Sequence, residues 1–266
     1  MTESGTCPVP DGELHVERIG NGPALLLVAG GTGAAAAYRA LAKRLAEEHT
    51  VLAYDRRGHF GSGHAADGPL TVARHADDAR AVIEHFGYGK ALVFGSSAGG
   101  DIALELVTRH PDVVSGLVVH EPPAVHLLPD ADEWIEFARE QSARSAAGDV
   151  FGAFAAFLGS IAGADLPPLK AVRLPNEHEW RLLFDRELVG FYDYRPDVEA
   201  LRRSPVPIVL TAGEDSRGYY HYRPARALAL ELGLPFVEMP GAHLAPQRDA
   251  RSFAAALTAV LADLVL

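Results

Sequence analysis

Short apolar runs alternate with helix-length segments along most of this chain. The runs Leu14 to Ile19, Ala24 to Ala29, Val51 to Tyr54, Ala91 to Phe94, Gly116 to His120, Val206 to Thr211 and Pro235 to Met239 predict strands. Between most of them, Ala34 to Glu48, Val72 to Phe86, Ala98 to Arg109, Pro224 to Leu232 and Ser252 to Leu264 are amphipathic or alanine-rich and predict helices. Strands this continuously apolar have no polar face to offer water. They predict an α/β fold, with a mostly parallel central sheet covered by helices on both faces.

The alternation breaks once, from about Ala124 to Ser204. That stretch holds only helical patterns (Ala131 to Ala147, Val150 to Ile161, Glu177 to Val189), opened by Pro122-Pro123 and closed by Pro205 and Pro207. The expected organisation is therefore a core built from residues 1–123 and 205–266, with a helical cap at 124–204 folded over it. About half of the aromatic residues fall in this cap, although it is less than a third of the chain. Its underside is expected to be apolar, with Trp134, Trp180 and Phe184 as candidate substrate contacts.

Composition narrows the function. Hydrophobic residues at 48% and charged residues at 22% are ordinary for a globular protein. Acidic residues outnumber basic ones, 35 to 24, and the formal charge is −11. Such a surface repels phosphate backbones and anionic lipids, so nucleic acid and membranes are poor partners and a small molecule is the expected one. Cys7 stands alone and can form no internal disulfide, and no Cys/His spacing resembles a zinc site. The opening Met1-Thr2-Glu3-Ser4-Gly5 has no apolar stretch of the secretory kind, and no run approaches the roughly 18 apolar residues that span a bilayer. The expectation is a soluble, cytoplasmic protein needing neither metal nor organic cofactor. Its oligomeric state is left open, a homodimer included.

Gly95-Ser96-Ser97-Ala98-Gly99 fits G-x-S-x-G with Ser97 at the centre. The bare pattern is weak in a chain with 26 glycines. Here it follows an apolar strand and opens a helix, which is where a nucleophilic serine must sit. A serine forced into so sharp a turn needs small residues two before and two after it, and the helix N-terminus favours developing negative charge. An attacking serine needs a base, an acid behind it and an oxyanion hole. His243, in Pro240-Gly241-Ala242-His243-Leu244 between the last strand and the last helix, is the expected base. Gly31, in Ala29-Gly30-Gly31-Thr32-Gly33, and Ala98 are the expected backbone N–H donors of the hole. Thr32 is a further candidate for substrate contact.

These segments, together with Tyr54-Asp55-Arg56-Arg57-Gly58-His59-Phe60-Gly61-Ser62, resemble the α/β-hydrolase fold in order and spacing over nearly the whole chain. The resemblance places the cap between strands 6 and 7 and implies a serine hydrolase. It departs from the common pattern at Ala29, where many members carry a non-catalytic histidine, and at the acid. Most members place the acid three residues beyond a glycine after the strand Val206 to Thr211, which here is Ser216, with Asp215 one short. A second carboxylate, Glu121, ends the preceding strand. Haloalkane dehalogenases and zearalenone-opening lactonases look similar there. Glu121 is therefore the preferred acid and Asp215 the alternative, with Pro122-Pro123 stiffening the backbone beyond Glu121.

A serine nucleophile argues against dehalogenases and epoxide hydrolases, whose ester intermediates need a carboxylate. Carboxylic ester or lactone hydrolysis is the first expectation. C–C bond hydrolysis, cofactor-free perhydrolysis and a slow-turnover ligand receptor are the alternatives on the same residues. Gly31-x-Gly33-x-x-Ala36 with Asp55 imitates a dinucleotide fingerprint but leaves Ser97 and His243 without a task. Asp77-Asp78 reads as a solvated helix face, Arg56-Arg57 as a loop anchor made of salt bridges, and His120 and His126 as packed or exposed. Tyr219-Tyr220-His221-Tyr222 divides between lining a pocket and capping the next helix.

Overall fold

The computed structural model describes residues 2–63, 70–162, 174 and 176–264. The stretches 163–173 and 175, within the expected cap, lie outside the described residues, as do Met1, 64–69 and the last two positions. Eight strands form one sheet: β1 (Glu3–Val9), β2 (Gly12–Gly20), β3 (Ala24–Val28), β4 (Thr50–Tyr54), β5 (Ala91–Ser96), β6 (Val114–His120), β7 (Ile208–Gly213) and β8 (Phe236–Met239). Their spatial order is β1-β2-β4-β3-β5-β6-β7-β8. The β1–β2 and β2–β4 pairs are antiparallel and the other five are parallel. This is the α/β-hydrolase architecture.

The helices are α1 (Arg39–Leu45), α2 (Val72–His85), α3 (Ala98–Arg109), α4 (Ala131–Ala146), α5 (Val150–Ala162), α6 (Glu177–Arg186), α7 (Leu188–Tyr192), α8 (Val198–Arg203), α9 (Tyr222–Leu232), α10 (Ala245–Arg248) and α11 (Ala250–Leu264). Strand alternation distributes the core between the two faces of the sheet. Leu25 and Leu27 join Leu41, Leu45, Phe253 and Leu257 of α1 and α11. Leu26 and Val28 face α2, α3 and α9 through Val82, Ile102 and Leu228. The central strands β3, β4, β5 and β7 are buried at every position, which is why they read as unbroken apolar runs.

Four local readings need correction. β1 was not expected; five of its seven residues are exposed, so an edge strand left no apolar run to read. Ala34 to Glu48 divides into a 3-10 turn at Ala35–Tyr38 and α1, and Glu177 to Val189 breaks at Glu187 into α6 and α7. Asp77 and Asp78 do not share a solvated face: Asp78 is buried on Arg57, and Asp77 alone is exposed, pairing with Arg109 and His110.

Between β6 and β7 the described residues form only helices, α4 to α8 and a 3-10 turn at Val125–Leu127. No described helix is long and apolar enough to cross a membrane. From β3 the chain turns one way to β4, and it then returns past β3 to β5. The crevice between the β3 and β5 ends is therefore a topological switch point, where open α/β sheets bind ligands.

Candidate active site

Ser97 sits between β5 and α3 with φ 56° and ψ −133°, a backbone conformation L-residues seldom adopt. Its neighbours hold it there. The Ser97 N–H donates to His120 O at 2.9 Å, and its own carbonyl accepts from Gly100 N–H at 2.7 Å. A Cβ on Gly95 would fall 2.3 Å from Gly99 O, and one on Gly99 would fall 2.0 Å from Val28 O. Glycine at both positions lets the helix start press against the β3 end, and the serine between them is left half-buried at the crevice.

His243 lies in the loop between β8 and α10, 4% exposed. Its Nδ1 is 2.7 Å from Oε2 of Glu121, a fully buried residue that follows β6 with φ 47°. The other carboxylate oxygen accepts from Gly213 N–H at 2.8 Å, and the Glu121 N–H donates to Thr211 O. An ionised carboxylate can only accept, so Nδ1 carries the proton and Nε2 is left as the free acceptor of His243. Asp215 is exposed on the 3-10 turn after β7, with its backbone N–H on Gly241 O, while Glu121 holds the imidazole.

Two more histidines surround Glu121. His221 Nε2 stands 3.4 Å from Oε2 and 3.3 Å from Ser216 Oγ, and its ring centroid is 4.5 Å from that of His243. His120 Nε2 is 4.0 Å from Oε2. The Thr211 hydroxyl donates to Val119 O, so it accepts from His120 Nδ1, which fixes His120 in one neutral tautomer. Burial pulls His120 down to about 4 and His221 down to about 3, so both are uncharged near neutral pH. Burial works against the Glu121 carboxylate, but the positive charge that His120 and His221 take on in acid and the hydrogen bond from His243 more than offset it and hold the carboxyl well below its ordinary range.

Among the described residues, Glu121, His221 and His243 are the group whose ligand-type atoms come within 4.8 Å of one another. The 2.7 Å Glu121–His243 contact is a hydrogen bond with a proton in it. A metal would have to displace that proton and separate the pair, so the group fits an acid–base relay better than a metal site.

A cavity of about 270 Å³ brings Ser97 and His243 to one space, walled by Gly30, Gly31 and Thr32, by Phe154 and Phe157 of α5 and by Trp180 of α6. Gly31 has φ 53° and open space where a Cβ would stand. Ala98 faces a smaller hollow beside Ser97 that Gly31 also borders. Of the aromatic candidates, Trp180 lines the cavity. Phe184 is 1% exposed and packs behind it on Phe157 and Trp180. Trp134 stacks on Tyr220 at 3.9 Å and donates to Asp130, away from the cavity. In the aromatic run, Tyr220 borders the smaller hollow, Tyr222 donates to Glu238, and His221 belongs to the Glu121 cluster. A larger hollow, about 460 Å³, lies between the start of α2 and α6–α7 and touches neither Ser97 nor His243.

Sequence reasoning missed the α5 wall, Phe154, Phe157, Leu158 and Ile161. The signal was present, since Val150–Ala162 has no charged residue, and a cap helix that is apolar all round must cover something. It also missed Glu187, which pairs with Arg56 in a buried network; Arg56 and Arg57 do anchor loops, but inside the protein.

Residues 23–193 match the family described as alpha/beta hydrolase fold. The chain is 34% identical over 251 residues to an uncharacterized hydrolase, YraK, of Bacillus subtilis (strain 168), covering 90% of this chain and 89% of that one. The thermophilic esterase from Thermogutta terrifontis has a similar structure, with TM-score 0.77 and 21% identity over 98% of this chain and 99% of that one. An enol-lactonase from Burkholderia xenovorans LB400 is similar at TM-score 0.75 and 21% identity, over 97% of this chain and 100% of the other.

Proposed function

The chain belongs to the alpha/beta hydrolase fold family, and from that premise we propose that it is a serine hydrolase cleaving a carboxylic ester or lactone of a small hydrophobic substrate through an acyl-enzyme. One observation carries the reading: Ser97, on its strained turn, shares a cavity, apolar on its α5 and α6 walls, with a His243 whose Nδ1 is committed to the buried Glu121. Nδ1 on the acid leaves Nε2 to take the Ser97 proton as Oγ attacks the acyl carbon. The carbonyl oxygen becomes an oxyanion within reach of the Gly31 and Ala98 N–H groups, one such donor being worth about 3 kcal/mol of barrier. Collapse breaks the bond to the leaving oxygen, which takes the proton from Nε2. Water then gives its proton to Nε2 and attacks the acyl carbon. Ser97 leaves with that proton, and a carboxylic acid is released.

The 270 Å³ cavity lies just below the ~300–1,000 Å³ range of ligand pockets, which favours a small substrate. Its α5 and α6 walls are aromatic and aliphatic, which favours a hydrophobic acyl group, while Gln247 and Arg248 form a polar side. Among neighbours in fold, one structure is named an esterase and another an enol-lactonase, and both reactions suit this mechanism. The test is release of p-nitrophenol from short-chain esters by wild type and Ser97→Ala side by side. Sustained turnover that disappears in Ser97→Ala is expected; equal rates in the two overturn the proposal.

A further inference from the structure

The Gly30–Gly31 turn is held from outside by a chain of buried charges that ends in the cap. Arg56, 1% exposed, donates from Nη1 to Ala29 O at 3.0 Å and from Nη2 to Gly31 O at 2.6 Å. The carbonyl between them, Gly30 O, accepts from Gly33 N–H at 2.9 Å. Three consecutive carbonyls are thus fixed. Because a trans peptide is planar, fixing the Gly30 carbonyl toward Gly33 turns the Gly31 N–H to the opposite side of the turn.

The guanidinium is held in its turn by Glu187, at the α6–α7 break, with Nη2 to Oε2 at 2.8 Å and Nε to Oε1 at 3.3 Å. His59 bridges two cap carboxylates: Nε2 lies 3.0 Å from Glu187 Oε2 and Nδ1 lies 2.8 Å from Glu179 Oε2. Glu179 Oε1 also accepts from Phe60 N–H, and the next residue, Trp180, is a cavity wall.

Stability alone is a poor reason for this arrangement. A buried ion pair does little better than apolar residues of the same volume. An apolar replacement, however, could not donate to the Ala29 and Gly31 carbonyls. We propose that Arg56, Glu187 and His59 are positioning residues of the oxyanion hole, through which the seating of the cap sets the aim of the Gly31 N–H. The inference rests on the serine-hydrolase reading for the role of that N–H.

The charges suit the task. Two carboxylates, one at each ring nitrogen, call for two protons on His59, so Arg56 and His59 balance Glu179 and Glu187. Burial lowers His59, but the Glu187 charge and the hydrogen bonds to Glu179 and Glu187 outweigh it and raise it above the usual histidine value. Around it stand Glu179 from α6, Glu187 ahead of α7, Arg56 from its own loop, and His75 and Asp78 from α2. His75, with Nε2 2.9 Å from Glu187 Oε1, is lowered by burial and neutral; Asp78 is paired with Arg57. As pH rises through the raised value, His59 loses a proton, one of its two bonds breaks, and kcat falls.

The test uses the full chain and two readouts, ester turnover and the rate at which a fluorophosphonate labels Ser97. Labelling puts a phosphonyl oxygen in the same hole and needs no turnover. Wild type against Ser97→Ala decides the hydrolase reading by itself. In Glu187→Gln, labelling and kcat are expected to fall about tenfold or more, with KM moving less than about threefold and partial recovery in Glu187→Asp. His59→Gln should lose the alkaline fall in kcat. A folded Glu187→Gln that is labelled at the wild-type rate overturns the proposal, and so does a His59→Gln profile that keeps the wild-type alkaline fall. If Glu187→Gln does not fold, the His59→Gln profile decides.

Discussion

Two buried glutamates, Glu121 and Glu187, each stand among histidines, yet their charge surroundings are opposite. Among the described residues Glu121 meets three imidazoles and no guanidinium, and two of those imidazoles, His120 and His221, are kept neutral. Under the proposed mechanism its charge is thus left for the imidazolium that forms when His243 takes a proton. Glu187 meets Arg56 and a raised His59, so its charge is matched at all times. A carboxylate surrounded by neutral bases answers a proton that comes and goes, whereas one clamped to a permanent cation holds a loop in place.

Substitutions can break or sharpen this contrast. The largest effect is expected at Glu121: Glu121→Gln should lower kcat by about 10³–10⁴, while Asp215→Asn should stay within about twofold of wild type. Steady-state kinetics on both variants check it, and a costly Asp215→Asn would break the contrast. Next, Arg56→Met leaves Glu187 buried without its cation and should cost about 3–5 kcal/mol in urea unfolding. His221→Asn beside Glu121 removes a neutral neighbour and should cost only about 1 kcal/mol.

The third effect is the opposite pH response of the two clusters. His120 is less basic folded than unfolded, so between pH about 6.5 and its folded value of about 4 the unfolded chain binds more protons. Its contribution is complete above that window and lost as pH falls, on the order of 3 kcal/mol; His221 acts in the same direction. His59 is more basic folded than unfolded, so its contribution is present below its unfolded value and lost as pH rises through the folded one. Urea midpoints between pH 5 and 9 should fall on the acid side in wild type and fall less steeply there in His120→Gln, with the remainder carried by His221. The smallest effect is Trp180→Ala, expected to raise KM a few-fold with kcat nearly kept, since it removes one wall of the cavity.

What the sequence made legible was local. Ser97 could be read because its turn demands glycine two residues to either side, and the central strands because burial on both faces leaves no polar position. Trp180 was legible only as an aromatic in a cap. Trp134 and Phe184 carried the same signal yet lie off the cavity, because composition does not say which face of a cap helix turns inward. The Glu121–Asp215 alternative stayed open because both follow neighbouring strands, and only side-chain direction separates them. Glu187 was invisible for a different reason: its partner is 131 residues away, and neither residue sits in a pattern that names the other.

Those separations bear on how activity is acquired during folding. Glu121 and His243 are 122 residues apart, and Arg56 and Glu187 are 131 apart. Each pairing closes a loop that contains much of the chain, and loop closure of this length comes late and slowly. Helices can form long before either contact exists. During refolding from urea, recovery of helical circular dichroism should therefore run ahead of recovery of ester turnover.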